Sequence, residues 1–198
     1  MPGGPTSYDE TTALVVVDVQ NDFAHPEGGL YVRGGEEIIP MINDEVSAAQ
    51  GSGGLVIYTQ DWHPETTPHF AKDGGIWPTH CVQETWGAGF HDDLEVRGPV
   101  VRKGTGGEDG YSGFTVQHPL NGETSATGLD DLLRQRAIEK LVIVGLAQDV
   151  CVKATVLEAR SLGYQVSVLT EATRPVNLSP GDGEASLRAM TTAGARVL

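Results

Sequence analysis

The stretch Ala13-Leu14-Val15-Val16-Val17-Asp18 decides the fold. Its apolar residues follow one another without polar residues between them, which is typical of a strand buried on both faces. A carboxylate comes directly after the run, at the point where such a strand would end. The stretch therefore predicts a central strand of a parallel sheet that carries an acid at its carboxyl end.

Strand-like and helical segments alternate along the rest of the chain. Further short apolar runs, read as strands, cover residues 55–59, 99–102, 141–144, 166–169 and 196–198. Segments with apolar residues on one helical face cover residues 36–49, 129–138, 152–162 and 183–193. This alternation predicts a single α/β domain, a three-layer α/β/α arrangement with a six-stranded, mainly parallel sheet. Residues 1–10 are predicted to be a loose N-terminal tail, and residues 11–198 the domain.

Composition argues against several classes of function. The formal net charge of -14 argues against nucleic acid and against anionic membranes, because both need clustered Lys and Arg. No apolar run is long enough to span a membrane, and the first ten residues do not resemble a signal peptide. Two cysteines, Cys81 and Cys151, are too few for a disulfide framework. We therefore expect a reduced, cytoplasmic protein.

Polar residues with chemical potential follow four of the predicted strands. The first strand ends at Asp18, the second at Asp61 and the third at Lys103, while the strand at 141–144 leads to Cys151. Ligands of open α/β sheets bind outside the carboxyl ends of the strands. If these four strands are neighbours, an acid, an ammonium and a thiol meet at one edge of the sheet.

A cysteine nucleophile with an acid and a lysine is one interpretation of this edge. Cys151 begins a predicted helix, whose N-terminal N–H groups favour a thiolate, although a small buried apolar residue is the alternative. Asp18 could act as the general base, or could merely cap a turn. Lys103 could keep Asp18 ionised and lower the pKa of the thiol, or could be a surface lysine.

The long connection after the second predicted strand, residues 61–98, contains candidate metal ligands, namely Asp61, His63, His69 and His80. An Asp-x-His pair in an extended segment places both side chains on one side, and a further histidine can complete the site. Carboxylate and imidazole ligands suit zinc, iron and manganese alike. Histidines in ordinary hydrogen bonds are the alternative.

Six short blocks resemble the nicotinamidase (pyrazinamidase) branch of the isochorismatase-like hydrolases, in the order of that family. They are Asp18-Val19-Gln20-Asn21-Asp22-Phe23, Asp61-Trp62-His63-Pro64, Trp77-Pro78-Thr79-His80-Cys81-Val82, Arg102-Lys103-Gly104, Tyr111-Ser112-Gly113-Phe114 and Gly145-Leu146-Ala147-Gln148-Asp149-Val150-Cys151-Val152. Each block is weak to moderate evidence alone, whereas six in register are strong evidence.

The resemblance implies a set of catalytic residues. It implies an Asp18, Lys103 and Cys151 triad, with an oxyanion hole formed by the backbone N–H groups of Ala147 and Cys151. It also implies a cis peptide bond between Leu146 and Ala147. The reaction implied is the hydrolysis of nicotinamide, or of pyrazinamide-like amides, to the acid and ammonia through a Cys thioester, a step of NAD salvage.

The resemblance also implies a metal and a substrate pocket. One divalent ion, zinc before iron or manganese, would be held by Asp61, His63 and His80, with His69 as a further candidate. Phe23 and Trp77 would sandwich the substrate ring, Tyr111 would close over it, and Ala147 would contact it. A homo-oligomer is compatible with the family.

Two departures from the family leave the substrate open. Gln148 stands where the family usually has Thr, and Val150 where it often has an aromatic residue or His, and both are expected to border the pocket. A related amidohydrolase for another small amide or ureido substrate is the first alternative. A metallohydrolase in which Cys151 is only structural is the second. A nucleotide-binding module is the third, but the first strand lacks the Gly-rich turn that it needs.

Overall fold

A computed structural model describes residues 7–198, in which six parallel strands form one sheet. The strands of the chain are β1 (Thr12–Val17), β2 (Leu55–Asp61), β3 (Val100–Lys103), β4 (Thr115–Gln117), β5 (Thr124–Ala126), β6 (Lys140–Leu146), β7 (Gln165–Arg174) and β8 (Arg196–Val197). The order in the large sheet is β3-β2-β1-β6-β7-β8, and β4 and β5 form a separate antiparallel pair. The predicted six-stranded parallel sheet is confirmed, whereas the β4–β5 pair was not predicted.

The helices fill the connections between the strands. They are α1 (Asn21–Ala24), α2 (Ile39–Gly51), α3 (Leu129–Gln135), α4 (Lys153–Ser161) and α5 (Asp182–Thr192). A 3-10 turn at Glu36–Ile38 leads into α2, and a π-helical turn at Gln148–Val152 leads into α4. All four predicted helices are present, with ends that differ from the prediction by a few residues. No helix within residues 7–198 is long and apolar enough to cross a membrane.

The continuous apolar composition of the central strands follows from the two packed layers beside the sheet. On β1, Leu14 and Val16 pack into one apolar cluster with α2, and Val15 and Val17 pack into another with α3 and α4. Every residue of β1 is buried. Because side chains alternate between the two faces, a strand covered on both sides has no position at which a polar side chain would meet water.

The segment that precedes β1 is partly packed. Residues 1–6 of the predicted tail lie outside the described residues. Tyr8 is buried and donates a hydrogen bond to Glu45 at 2.6 Å, and Lys140 pairs with Asp9 at 2.7 Å. Residues 8 and 9 of the predicted tail therefore contact the domain, because the aromatic side chain of Tyr8 joins the core beside α2 and Asp9 pairs with Lys140.

The carboxyl ends of β1, β2, β3 and β6 lie side by side, as the predicted site requires. Asp61 and Lys103 are register partners at the ends of β2 and β3, and Val17 is paired with Gly145 on the other side of β1. Gly145 has φ 111°, and a Cβ there would lie 2.2 Å from the carbonyl oxygen of Val17. Only glycine permits this close approach, which brings the segment after β6 against the end of β1. The Leu146–Ala147 peptide bond that follows is cis, in agreement with the resemblance.

Candidate active site

Lys103 lies at the centre of the polar cluster at this edge. Its Nζ lies 2.7 Å from Asp18 Oδ2, donates to Asp61 Oδ1 and to the carbonyl of Gly110, and lies 3.9 Å from Cys151 Sγ. Only 1% of the residue is exposed. Burial lowers the pKa of Lys103, but the two carboxylates outweigh burial and raise the pKa well above its usual value. The alternative of a surface lysine is wrong, because β3 carries its last side chain into the protein.

Asp18 is fully buried directly after β1. Thr59 Oγ1 donates to Asp18 Oδ1 at 2.6 Å, so one carboxylate oxygen is bound by a hydroxyl and the other by the lysine. Burial raises the pKa of Asp18 to about 6, although Lys103 opposes the shift. The backbone at Asp18 has φ 50°, which is uncommon for a residue with a side chain. Asp18 therefore has the burial and the pKa that suit a group exchanging protons near neutral pH.

The environment of Cys151 differs from the expectation of a ready-made thiolate. The residue lies in the π-helical turn before α4, so the predicted helix start is present. Burial nevertheless raises the pKa of the Cys151 thiol well above its usual value; Lys103 opposes this, and the Asp18 and Asp61 carboxylates add to it. Lys103 thus lowers this pKa as expected, but burial outweighs its effect, and the expectation of a thiol with a lowered pKa is wrong. A neutral thiol lies beside a carboxylate that can accept its proton.

A second cluster lies on the far side of Asp61. One ring nitrogen each of His63, His69 and His80 lies within 4.8 Å of the others. Asp61 Oδ2 lies 3.8 Å from His63 Nε2 and 4.0 Å from His80 Nε2. Asp61 is therefore shared, with Oδ1 bound to Lys103 and Oδ2 directed toward the histidines. All four residues that the sequence singled out as metal candidates are brought together.

The histidine cluster fits a divalent metal ion. Both ring nitrogens of His63 are buried and have no hydrogen-bond partner, which is costly for polar atoms inside a protein unless a ligand satisfies them. His80 binds the Pro78 carbonyl through Nδ1 at 2.7 Å, which leaves its Nε2 for a metal. Asp18, Asp61 and Cys151 also lie close enough to hold an ion, but the ammonium of Lys103 already neutralises that group.

A pocket lies between the two clusters. Its lining consists of Phe23, Leu30, Val32, Asp61, His69, Trp77, His80, Gly110, Tyr111, Ala147, Val150, Cys151 and Val176. The aromatic side chains expected around a substrate ring are all present, and Trp77 Nε1 donates to Tyr111 Oη at 2.9 Å. A flat apolar ring would thus lie between the thiol and the histidines.

The sequence model of a protein family, the isochorismatase domain, matches residues 12–198, which is nearly the whole described chain. The chain belongs to the isochorismatase family. The resemblance inferred from six short blocks is confirmed.

Individual members of the isochorismatase family are similar over almost their full length. The nicotinamidase of Escherichia coli (strain K12) is 39% identical over 201 residues, covering 92% of each chain. The structure of the Pyrococcus horikoshii pyrazinamidase in complex with zinc has a TM-score of 0.83 and 36% identity, and covers 95% of this chain and 98% of that one. The structure of L. infantum PnC1 in complex with nicotinate has a TM-score of 0.87 and 35% identity, covering 98% and 95%.

Several residues around the site could not be identified from the sequence. Leu30, Val32 and Val176 line the pocket, but nothing in their local sequence marks them as pocket residues. Gln20 donates to the carbonyl of Asp61 at 2.7 Å and accepts from its N–H at 2.8 Å, which fixes the backbone of Asp61. The sequence did offer a signal for Gln20, because this residue lies in the first family-like block, two residues after Asp18.

Of the two residues that depart from the family pattern, Gln148 and Val150, only one borders the pocket as expected. Val150 lines the pocket as expected, whereas Gln148 does not. The Gln148 amide donates to the Gly183 carbonyl at 2.9 Å and to Ser186 at 3.0 Å, and accepts from Thr173 at 3.1 Å. Gln148 therefore anchors the start of α5 to residues 145–152. The side chain of glutamine is longer than that of the threonine usual in the family, and it reaches the helix behind the pocket.

Asp149 performs a similar anchoring role for the pocket wall, and its replacement by asparagine is expected to have two effects. The buried carboxylate accepts from the N–H groups of Val176 at 2.9 Å and Asn177 at 2.8 Å. Asparagine would direct an NH2 group at one of these donors, so we expect a loss of about 1–3 kcal/mol of stability. KM should rise as well, because Val176 lines the pocket.

Urea unfolding and steady-state kinetics measure both effects of Asp149→Asn. Asp182→Asn is the matched control, because Asp182 accepts a single exposed N–H, from Ser179. We expect the control to change stability by less than about 0.5 kcal/mol. Equal effects of the two variants would show that the paired hydrogen bonds of Asp149 have no special role.

Proposed function

We propose that this protein is a metal-dependent nicotinamidase, an amidohydrolase that converts nicotinamide and water to nicotinate and ammonia. The observation that carries the proposal is the position of Lys103, which contacts both Asp18 and Asp61 beside Cys151. A single ammonium thereby joins an acid–thiol pair to a cluster of metal-type ligands. Relatives that share the whole fold are nicotinamidases and pyrazinamidases, and they support the assignment.

The first step is proton transfer from Cys151 to Asp18. Asp18, whose pKa is about 6, is ionised at neutral pH and can accept the thiol proton. Lys103 stays charged and stabilises the negative charge that passes from the carboxylate to the sulfur. The thiolate then forms a bond to the carboxamide carbon, and the carbonyl π electrons move to the oxygen.

The remaining steps release ammonia and the acid. The backbone N–H groups of Ala147 and Cys151 would stabilise the oxyanion, an effect worth roughly 3 kcal/mol per donor. Asp18 gives its proton to the leaving nitrogen as the C–N bond breaks, which leaves a thioester on Cys151. Asp18 then accepts a proton from water as the hydroxide attacks the thioester carbon. The C–S bond breaks, the proton on Asp18 passes to the sulfur of Cys151, and the product leaves as nicotinate after its carboxyl group loses a proton to water.

Asp61, His63 and His80, together with His69, would hold one divalent ion, with zinc as our first choice. Held there, such an ion would supply a Lewis acid for a ring nitrogen of the substrate, so that these residues would serve to orient the ring rather than to activate water. Phe23 and Trp77 would hold the faces of the ring, and Tyr111, hydrogen-bonded to Trp77, would restrict the access of water.

Incubation with nicotinamide tests the proposal. We expect stoichiometric ammonia and nicotinate, and we expect the activity to disappear with a chelator and to return on addition of Zn²⁺, Fe²⁺ or Mn²⁺. The control reaction contains nicotinate in place of nicotinamide and should release no ammonia. If metal-replete protein released no ammonia from nicotinamide, the nicotinamidase assignment would be wrong.

A related amidohydrolase for another small amide is the second candidate, and Val150 is the observation that favours it. Val150 lines the pocket with a side chain smaller than the aromatic residue or His that the family often has there. Ring-substituted nicotinamides and ureido compounds should therefore be assayed beside nicotinamide. A kcat/KM for any of them above that for nicotinamide would favour this candidate.

We also propose a cytoplasmic location and a homo-oligomeric state. Cys81 and Cys151 are both free and buried, which suits a reducing compartment. The oligomeric state rests on the family resemblance, and light scattering of the purified protein would measure it.

A further inference from the structure

Residues 109–111 contact three residues of the proposed site in succession. Asp109 Oδ1 lies 2.5 Å from His69 Nδ1, the carbonyl of Gly110 accepts from Lys103, and Tyr111 Oη accepts from Trp77. These residues belong to the long connection after β3, and Asp109 is in none of the family-like blocks. The nicotinamidase chemistry described above uses Lys103 and Tyr111 but assigns no role to Asp109.

The contact between Asp109 and His69 defines which nitrogen of His69 can bind a metal. An ionised carboxylate can only accept a hydrogen bond, so the proton of the ring lies on Nδ1. The lone pair of Nε2 is then available, and the direction of the hydrogen bond fixes the rotation of the ring. His69 is buried and stacks on His63 with a ring-centroid distance of 4.6 Å.

The three histidines of the cluster are oriented in different ways. His80 binds a backbone carbonyl through Nδ1, and the ring nitrogens of His63 have no hydrogen-bond partner. Gly104 packs against the His63 ring so closely that a Cβ there would lie 2.5 Å from it. His69 alone among the three is hydrogen-bonded to a carboxylate.

The small β4–β5 hairpin supports Asp109 from behind. The N–H of Asp109 donates to the carbonyl of Gln117 at 2.7 Å, and the N–H of Gln117 donates back at 2.9 Å. Gln117 is the last residue of β4, which pairs with β5 in the separate two-stranded sheet. The hairpin thus fixes the backbone from which the carboxylate reaches His69.

We propose that Asp109 is a positioning residue that orients His69 as a ligand of the metal ion, and that the β4–β5 hairpin fixes Asp109 in place for this purpose. The proposal rests on the metal site of the proposed function.

The affinity for Zn²⁺, measured by competition with a chromogenic chelator, tests the proposal. Asp109→Ala should weaken Zn²⁺ binding about 10- to 100-fold, the usual effect of removing a carboxylate behind a histidine ligand. Asp109→Asn should restore part of the affinity, since its carbonyl oxygen can still accept from Nδ1. Glu108→Ala is the matched control: the neighbouring carboxylate binds only the N–H of Gly106, so the affinity should be unchanged.

Two further measurements separate orientation of His69 from general damage to the loop. In a His69→Ala background, Asp109→Ala should have no additional effect on Zn²⁺ affinity. At saturating Zn²⁺, the kcat of Asp109→Ala should approach that of the wild type, because Asp109 would contact no reacting atom. A low kcat that persists at saturating Zn²⁺, or an equal loss of affinity in the His69→Ala background, would overturn the proposal.

The outcomes also distinguish this proposal from the proposed function. Zn²⁺ binding by the wild type with unchanged affinity in Asp109→Ala would overturn the role of Asp109 alone. Failure of the wild type to bind Zn²⁺ would overturn the metal site and the role of Asp109 together.

Discussion

Replacement of Cys151 by alanine is expected to lower kcat/KM for nicotinamide by at least about 1,000-fold. The substitution removes the thiol next to Asp18, and without that thiol the thioester cannot form. The thiol lies at the pocket wall, 3.9 Å from Lys103 Nζ. Removing one sulfur from this position leaves the histidine cluster intact, so the affinity for Zn²⁺ should be retained. Ammonia release and Zn²⁺ competition measure the two properties.

Cys81→Ala is the matched control for Cys151→Ala. Cys81 is also a free cysteine, and it is fully buried. It directly follows His80 in the chain, but it does not line the pocket. We expect its activity to stay within about tenfold of the wild type, with a modest loss of stability. Retained activity in Cys151→Ala, combined with lost activity in His63→Ala, would support a metallohydrolase and contradict the thioester mechanism.

Replacement of Lys103 by methionine is expected to cost about 3–5 kcal/mol of stability in the metal-free protein. The substitution leaves the buried carboxylates of Asp18 and Asp61 without their shared cation. It should also abolish most of the activity. Without the ammonium, the pKa of Asp18 rises further above about 6, so the carboxyl becomes protonated near neutral pH and cannot accept the thiol proton. Urea unfolding and kcat/KM measure the two effects.

Lys140→Met is the matched control for Lys103→Met. Lys140 also pairs with an aspartate, Asp9, but the lysine side chain is 39% exposed and that of the aspartate 49%. An exposed pair of this kind contributes about 0–1 kcal/mol, and the site is at the other end of β6. Similar losses of stability in the two variants would show that the Lys103 cluster is not held by its buried charges.

The fold was predictable because its central strands are buried on both faces. The continuous apolar run at 13–17 cannot be satisfied by a half-exposed strand, and the alternating helices require parallel connections. The β4–β5 pair was not predictable, since its strands have three residues each and β5 is fully exposed. Strands this short form no apolar pattern, and the hydrogen bonds to Asp109 that give the pair its place are made by the backbone.

The residues of the candidate site were predictable to the extent that each follows a strand. Asp18, Asp61 and Lys103 all stand at carboxyl ends, His80 was found among the clustered histidines, and the family-like blocks added the aromatic residues. The different positions of Gln148 and Val150 relative to the pocket were not predictable. They depend on where α5 packs, and the hydrogen bonds of Gln148 to Gly183 and Ser186 join residues far apart in the chain.

The sequence by itself predicted a parallel sheet with an acid, a lysine, a thiol and histidines placed at or after the carboxyl ends of its strands. It could do so because strand burial and strand ends are written in local composition. Only the tertiary structure decided that Lys103 would be shared between Asp18 and Asp61, that burial would keep the Cys151 thiol protonated, and that Asp109 would bind His69. Those properties depend on strand order, on desolvation and on contacts between distant loops, and none of these is a property of a local stretch of chain.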